Sequence, residues 1–166
     1  EFRRVLFRSL AHWYADPTGN LYEGAYGVDF YDGYENYFEC DQCQNPEDRS
    51  DLTAVINVLD QPASPQGWAD LQKLWDMDEF LTYMAVEAML WHWDGYTTSN
   101  NYRIYHNPET GLFQMLPWGS DQTWANEWYG PYDANGRLFR WCMTWPECKT
   151  DRKSTRLNSS HTVISY

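Results

Sequence analysis

Asp94 is followed after six and seven positions by Asn100 and Asn101, and after 27 positions by Asp121. Carboxylate and amide oxygens of this kind hold hard divalent cations, and a carboxylate can also take a proton. Brought together, they suit phosphoryl transfer. That reaction asks little covalent chemistry of a protein: one carboxylate near the acceptor hydroxyl, and oxygen ligands that keep Mg²⁺ on the phosphates. In this assignment Asp94 orients or deprotonates the hydroxyl, while Asn101 (or Asn100) and Asp121 hold the metal on the phosphates. His92 and Trp118 are expected to support the two loops, His92 as a hydrogen-bonding residue rather than an acid or base. Taken singly, each residue has a plainer role. Asp94 would end a helix, Asn100 and Asn101 would make a turn, and Asp121 would cap the next segment of chain.

The elements around the set must therefore bring it together. Tyr102–His106 is rich in strand formers, Asn107-Pro108-Glu109-Thr110-Gly111 is a turn sequence, and Leu112–Leu116 is a returning strand. At about 3.3 Å per residue the chain runs out and back roughly 17 Å. The open end of this hairpin is expected to place Asn100 and Asn101 near Trp118–Asp121. Upstream, Asp76 and Glu79 form an acidic capping box. The helix they start carries Phe80, Met84, Met89 and Leu90 on an apolar face and continues to Trp91 or Trp93, delivering His92 and Asp94 at its end. An earlier helix starts at Asn45-Pro46-Glu47-Asp48, with Asn45 as N-cap, and repeats Leu52, Val55, Ile56 and Leu59 at helical spacing. It ends at Gln61-Pro62 and Ser64-Pro65. Trp68, Leu71 and Leu74 give a short second helix, and Arg137–Trp145 a last one. Residues 10–40, dense in Gly and Tyr, read as short strands and loops. Asp29, Asp32 and Glu35 lack the spacing of a calcium loop and read as a solvated acidic loop. His12 and His106 are expected to be solvated.

The chain has 166 residues, 18% of them aromatic, and a net charge of −12. That is enough for one domain with a real core. Between residues 10 and 150 there are 22 acidic residues against 6 basic, a net of −16. Such a surface argues against nucleic acid or anionic lipid as a partner. No apolar run of about 18 residues exists, so no inserted membrane helix is expected. The ends differ from everything between them. Residues 1–9 (EFRRVLFRS) and 151–166 (DRKSTRLNSSHTVISY) are basic, poor in Trp, and resemble translated sequencing-adapter DNA. The native domain is accordingly placed at 10–150, a fragment cut at both ends. The cysteines, Cys40-x-x-Cys43 and Cys142 with Cys148, leave three readings open. These are disulfides, locally or cross-paired; a Cys₄ zinc site, which the five-residue gap fits poorly; and unpaired thiols.

An Asp, an Asn several residues on, a hairpin and a second Asp is also the order of the protein-kinase catalytic and metal loops, although there the Asn comes five residues after the Asp, where this chain has Ser99. His92-Trp93-Asp94-Gly95-Tyr96, Asn100–Tyr105 and Leu116-Pro117-Trp118-Gly119-Ser120-Asp121 resemble the core of the CotH kinase family, relatives of spore coat protein H. Gly19–Gly24 resembles an upstream motif of the same family. The likeness runs over residues 10–150. It implies an α+β chain: a fragment of a protein-kinase-like fold, mostly the helical C-lobe-like part with a catalytic β-hairpin. It further implies ATP with Mg²⁺ or Mn²⁺, a protein substrate with Ser or Thr acceptors, and an extracellular, cell-surface or spore-coat location. By the same likeness Asp94 is the catalytic Asp, and Asn101 and Asp121 are metal ligands. Two departures stand out. Many members carry Pro-Trp-Asp-x-Asp where this chain has Gly119. No lysine sits in a strand that could cover phosphates, since the lysines are Lys73, Lys149 and Lys153. The chain by itself is therefore expected not to phosphorylate a substrate. Two rival readings are a carbohydrate-binding or adhesion module presenting a coplanar row of exposed aromatics, and a glycoside hydrolase using Asp94 and Asp121 as its carboxylate pair.

Overall fold

The computed structural model describes residues 9–124 and 133–150. The stretches set aside on composition, apart from Ser9, lie outside the described residues, as does most of the aromatic stretch leading to Tyr132. The fold is α+β. Four antiparallel strands, β1 (Asn20–Gly24), β2 (Glu39–Gln42), β3 (Tyr102–Asn107) and β4 (Leu112–Leu116), form one sheet in the order β2-β1-β3-β4. Among the described residues, the helices packed with it include α1 (Ser50–Leu59), α2 (Pro65–Leu71), α3 (Met77–Leu90) and α4 (Arg137–Thr144). The expected hairpin is present as β3 and β4, in register from Arg103↔Leu116 to Asn107↔Leu112. It is not the lone sheet element of a mainly helical unit, however. A two-stranded hairpin is marginal by itself, and β1 completes it, pairing from Asn20↔His106 to Gly24↔Tyr102.

Side chains alternate across the strands. Tyr22, Tyr102, Ile104, Phe113 and Met115 face the main core, where they meet Leu52, Val55 and Ile56 of α1, Phe80 and Met84 of α3, and Leu138 and Phe139 of α4. Trp75 stacks on Phe113 with centroids 5.3 Å apart and meets Phe30 edge-on at the same distance. The opposite face holds a smaller cluster of Leu10, Leu21 and Tyr105, with Tyr14 and Leu116 against it.

Several local expectations are corrected. Helix α1 begins at Ser50, not after Asn45. Asn45 Oδ1 accepts from Glu47 N and Asp48 Oδ1 from Ser50 N, so both side chains close local turns that compete with the helix. Asp76 caps α3 by accepting from Glu79 N at 3.1 Å, but Glu79 does not reach back. Its Oε2 accepts from Met115 N at 2.9 Å and ties the helix to β4. Met89 is exposed: five residues beyond Met84, it lies about 140° round the helix. The helix stops at Trp91, whose left-handed backbone (φ 48°, ψ 48°) turns the chain out before Trp93. His106 is not solvated, since it stacks on Phe113 and bonds Asp51 Oδ2 at 3.0 Å. Cys40 is paired with Cys43 and Cys142 with Cys148.

Candidate active site

The turn that ends α3 projects residues 92–101 toward the open end of the hairpin. Thr97 Oγ1 donates to His92 O at 2.7 Å, Thr98 Oγ1 to Trp93 O at 2.8 Å, and Asn100 N to Gly95 O at 3.1 Å. These bonds curl the segment around a short 3₁₀ turn, Tyr96–Thr98. Ser99 and Asn101 both adopt positive φ (54° and 45°), which redirects the chain into β3. The outcome is a cradle for Asp94. Asn100 Nδ2 donates to its Oδ1 at 2.5 Å, and Asn101 Nδ2 to its Oδ2 at 3.3 Å. Ser99, at the position where ordinary kinases carry their Asn, is turned the other way and donates to Asp29 Oδ2 at 3.0 Å.

The second loop closes on the first. A Cβ on Gly119 would lie 2.1 Å from Asn101 Nδ2, so only glycine allows this approach, and its φ of +62° also favours glycine. His92 is buried and its Nε2 bonds Gly119 O at 3.1 Å. A carbonyl only accepts, so Nε2 carries a proton. Nδ1 faces Glu87 Oε1 at 3.0 Å. Burial alone would lower the His92 pKa. The bond to Glu87 and its charge, the Gly119 carbonyl and the charge of Asp94 outweigh burial and raise it. Trp118 lies over the Arg103 guanidinium, 3.6 Å from ring centroid to Cζ, on the smaller-core face of the sheet. Arg103 is itself held by Asp41 Oδ2 and Glu23 Oε2. Asp121 stands exposed on the turn beyond Gly119 and takes a long bond from Gln122 Nε2, 3.4 Å. It makes no hydrogen bond with Asp94 or either Asn. Asp94, Asn100 and Asn101 are thus brought into contact, and the loop of Asp121 is tethered to them through Gly119. Among the described residues no three His, Cys, Asp or Glu side chains converge on a metal position, so any cation here would rest on amide oxygens as well as carboxylates.

Two residues that hold this site were not legible as such. Asp29, expected to be solvated, is buried. It accepts from Phe30 N and Tyr96 Oη at Oδ1, and from Ser99 Oγ and Arg137 N at Oδ2. Burial pushes its pKa up against these bonds. Nothing in its sequence neighbourhood announces this role. Glu87 is equally buried and grips the Asp94 loop from α3. A signal did exist for it: with Phe80 and Met84 it falls on the i, i+4, i+7 face of the helix, where a carboxylate must find partners.

A cleft of about 640 Å³ lies along α3, walled by Asp76, Glu79, Tyr83, Glu87, His92 and Ser120 among others, but not by Asp94, Asn100 or Asn101. It therefore lies beside the Asp94 cradle rather than in it. Among the described residues, the exposed tyrosines Tyr31, Tyr34 and Tyr37 do not form a flat platform. Along Tyr31, Tyr34 and Tyr37 neighbouring rings meet at 66° and 65°, against the coplanar row that a sugar-stacking surface requires. Both Asp94 oxygens act as acceptors, which is not the arrangement of a carboxylic-acid donor.

The sequence profile described as CotH kinase protein matches residues 9–163, which includes part of the C-terminal stretch set aside on composition. Inner spore coat protein H of Bacillus subtilis (strain 168) is 31% identical over 84 residues, 51% of this chain and 23% of that protein. Invasin CotH3 of Rhizopus delemar is 29% identical over 86 residues, 47% of this chain and 14% of that protein. The matched segment spans less than a quarter of the length of either relative. With the profile covering most of the chain and the paired Asn residues on the loop of Asp94, the chain belongs to the CotH kinase family, a family of kinase-like enzymes.

Proposed function

We propose that the chain carries the catalytic and metal-binding half of a protein-kinase-like site, which in the full-length protein transfers a phosphoryl group from ATP to Ser or Thr hydroxyls of a protein substrate. One observation carries this reading: Asn100 and Asn101 each turn the Nδ2 group toward Asp94 and donate one N–H to it. Each then keeps its Oδ1 as an acceptor beside a fixed carboxylate, and oxygens of this type suit Mg²⁺ or Mn²⁺. ATP and the cation, when bound, would supply the transferable phosphoryl group and neutralise its charge. Asp94, held at both oxygens, would orient the acceptor hydroxyl and take its proton. Asn101, Asn100 and Asp121 would hold the cation. His92 and Trp118 would hold the two loops in place.

Among the described residues, Lys73 pairs with Asp70 at 2.7 Å on the surface, and Lys149 follows α4. Neither lies in a strand that could cover phosphates, so the chain by itself is not expected to be active. The name of the Bacillus subtilis relative supports a spore-coat or surface location. No described helix is long and apolar enough to cross a membrane.

The test uses the full-length protein with labelled ATP and Mg²⁺ or Mn²⁺, beside Asp94→Ala and Asp121→Ala. Phosphate incorporation into Ser or Thr is expected in the wild type. Asp94→Ala is expected to lower it about 10²-fold or more, the usual scale for a positioned base, and Asp121→Ala to raise the metal requirement. Transfer that survives both substitutions unchanged refutes the assignment.

A further inference from the structure

Glu87 takes more hydrogen bonds from the Asp94 loop than a helix residue needs for its own stability. Its carboxylate is buried on the inward side of α3. Oε1 accepts from Tyr83 Oη at 2.6 Å, from His92 Nδ1 at 3.0 Å and from Tyr96 N at 3.3 Å. Oε2 accepts from Thr97 N at 3.0 Å. Three of the four donors come from the loop that carries Asp94, on both sides of it in sequence. The loop closes over Glu87 so tightly that a Cβ on Gly95 would lie 2.1 Å from Oε1 and 2.6 Å from His92 Nδ1. The contact continues beyond the first loop, because His92 passes its second ring N–H to Gly119 O at 3.1 Å. Gly119 in turn is packed on Asn101 and lies two residues before Asp121.

We propose that Glu87 is a positioning residue. It sets the Asp94 loop directly and, through His92, fixes the Asp121 loop against it, so that the two halves of the site move as one unit. The inference rests on the kinase reading for its functional meaning, but its structural content does not. Substrate and cation would meet Asp94 and Asp121, never Glu87. A loop of irregular backbone next to a helix end has few hydrogen bonds of its own, and a buried, multiply bonded carboxylate is among the strongest anchors available to it.

The experiment is hydrogen exchange read by mass spectrometry on this chain, for Glu87→Gln and His92→Asn. Gln is isosteric with Glu but loses the charge and one acceptor oxygen. Bonds to a charged group are worth about tenfold or more each in a local opening equilibrium. Glu87→Gln is therefore expected to speed exchange about tenfold or more in both 92–101 and 117–122. His92→Asn breaks only the relay and is expected to loosen 117–122 while 95–99, still bonded to Glu87, stays protected. α1, at Ser50–Leu59, is expected to exchange as in the wild type. Unchanged exchange at 117–122 in both variants overturns the coupling. Acceleration that spreads equally into α1 overturns it too, because Glu87 would then merely hold the fold. In the full-length protein Glu87→Gln is expected to lower kcat about tenfold while leaving the KM for ATP within about twofold; an equal rise in KM with kcat intact refutes the positioning role. Absence of any phosphoryl transfer by the wild type refutes the kinase reading, and the exchange result then still decides Glu87.

Discussion

Replacing Gly119 by alanine isolates the contact on which the two-loop arrangement depends. Gly119 sits at φ +62°, and a Cβ there would meet Asn101 Nδ2 at 2.1 Å. The substitution carries two costs. A left-handed backbone costs a non-glycine residue about 1 kcal/mol. The overlap is with the end of a short side chain, so Asn101 can rotate away, but it then gives up its 3.3 Å bond to Asp94. A bond of that kind contributes about 0.5–1.5 kcal/mol. Gly119→Ala is thus expected to lose about 2 kcal/mol. Gly111 supplies the control: its φ is +70°, with nothing within 4 Å of the Cβ position. Gly111→Ala should lose only the backbone part, about 1 kcal/mol. The loss of unfolded-state freedom is common to both substitutions and cancels. Urea denaturation of this chain measures each, and a double-mutant cycle with Asn101→Ala completes the argument. In that background Gly119→Ala should cost no more than Gly111→Ala. If the two glycine variants are already equal in the native background, the Asn101 contact does not exist and the closure of the second loop on the first is wrong. The same geometry bears on an Asp at this position, the residue the family likeness leads one to expect. Gly119→Asp would add a carboxylate only by displacing Asn101, so it is expected to be at least as destabilising as alanine.

Buried carboxylates set two further outcomes. Burial, with the charge of Asp76, pushes the Glu79 pKa from 4.5 up to about 7 against the Met115 N–H bond. The folded protein therefore binds a proton that the unfolded chain releases. The associated stability is present below pH 4.5 and is lost as pH rises toward 7, by up to about 3 kcal/mol at 1.36 kcal/mol per pH unit. Glu79→Gln keeps an acceptor for Met115 N and should flatten this part of the profile; a wild-type and variant pair with parallel denaturation midpoints from pH 4.5 to 7 would count against it. Asp29 accepts two donors at each oxygen. Asp29→Asn must turn an NH₂ toward one pair, and a loss of about 2–4 kcal/mol in urea denaturation is expected; a loss under about 1 kcal/mol would mean that the four bonds do not hold the loop.

The legible parts of this protein are those written in short stretches of chain. Strand formers on either side of Asn107-Pro108-Glu109-Thr110-Gly111 specify the hairpin, and Asp76 specifies the start of α3. The apolar residues Leu52, Val55, Ile56 and Leu59 recur at helical spacing and are buried together. The boundaries failed where a side chain had a closer partner than the one its pattern implied. Asn45 closed a turn in place of capping a helix, and Glu79 reached β4 in place of its own N-terminus. Met89 belongs with the apolar residues by composition, while the helical period puts it on the other side.

By itself the sequence determined that Asp94, the Asn pair and Asp121 flank one hairpin, and that the chain between its two ends is strongly acidic. It also carried the family likeness, because motifs are strings and strings are read locally. Tertiary structure alone decided which groups face one another. Strand β1 reaches β3 from some eighty residues away, Ser99 turns from Asp94 to Asp29, and Glu87 gathers donors from the Asp94 loop. The physical reason is common to all three. A buried polar group takes whichever partner the packed chain delivers, and that choice depends on the closure of the whole fold rather than on the neighbours in sequence.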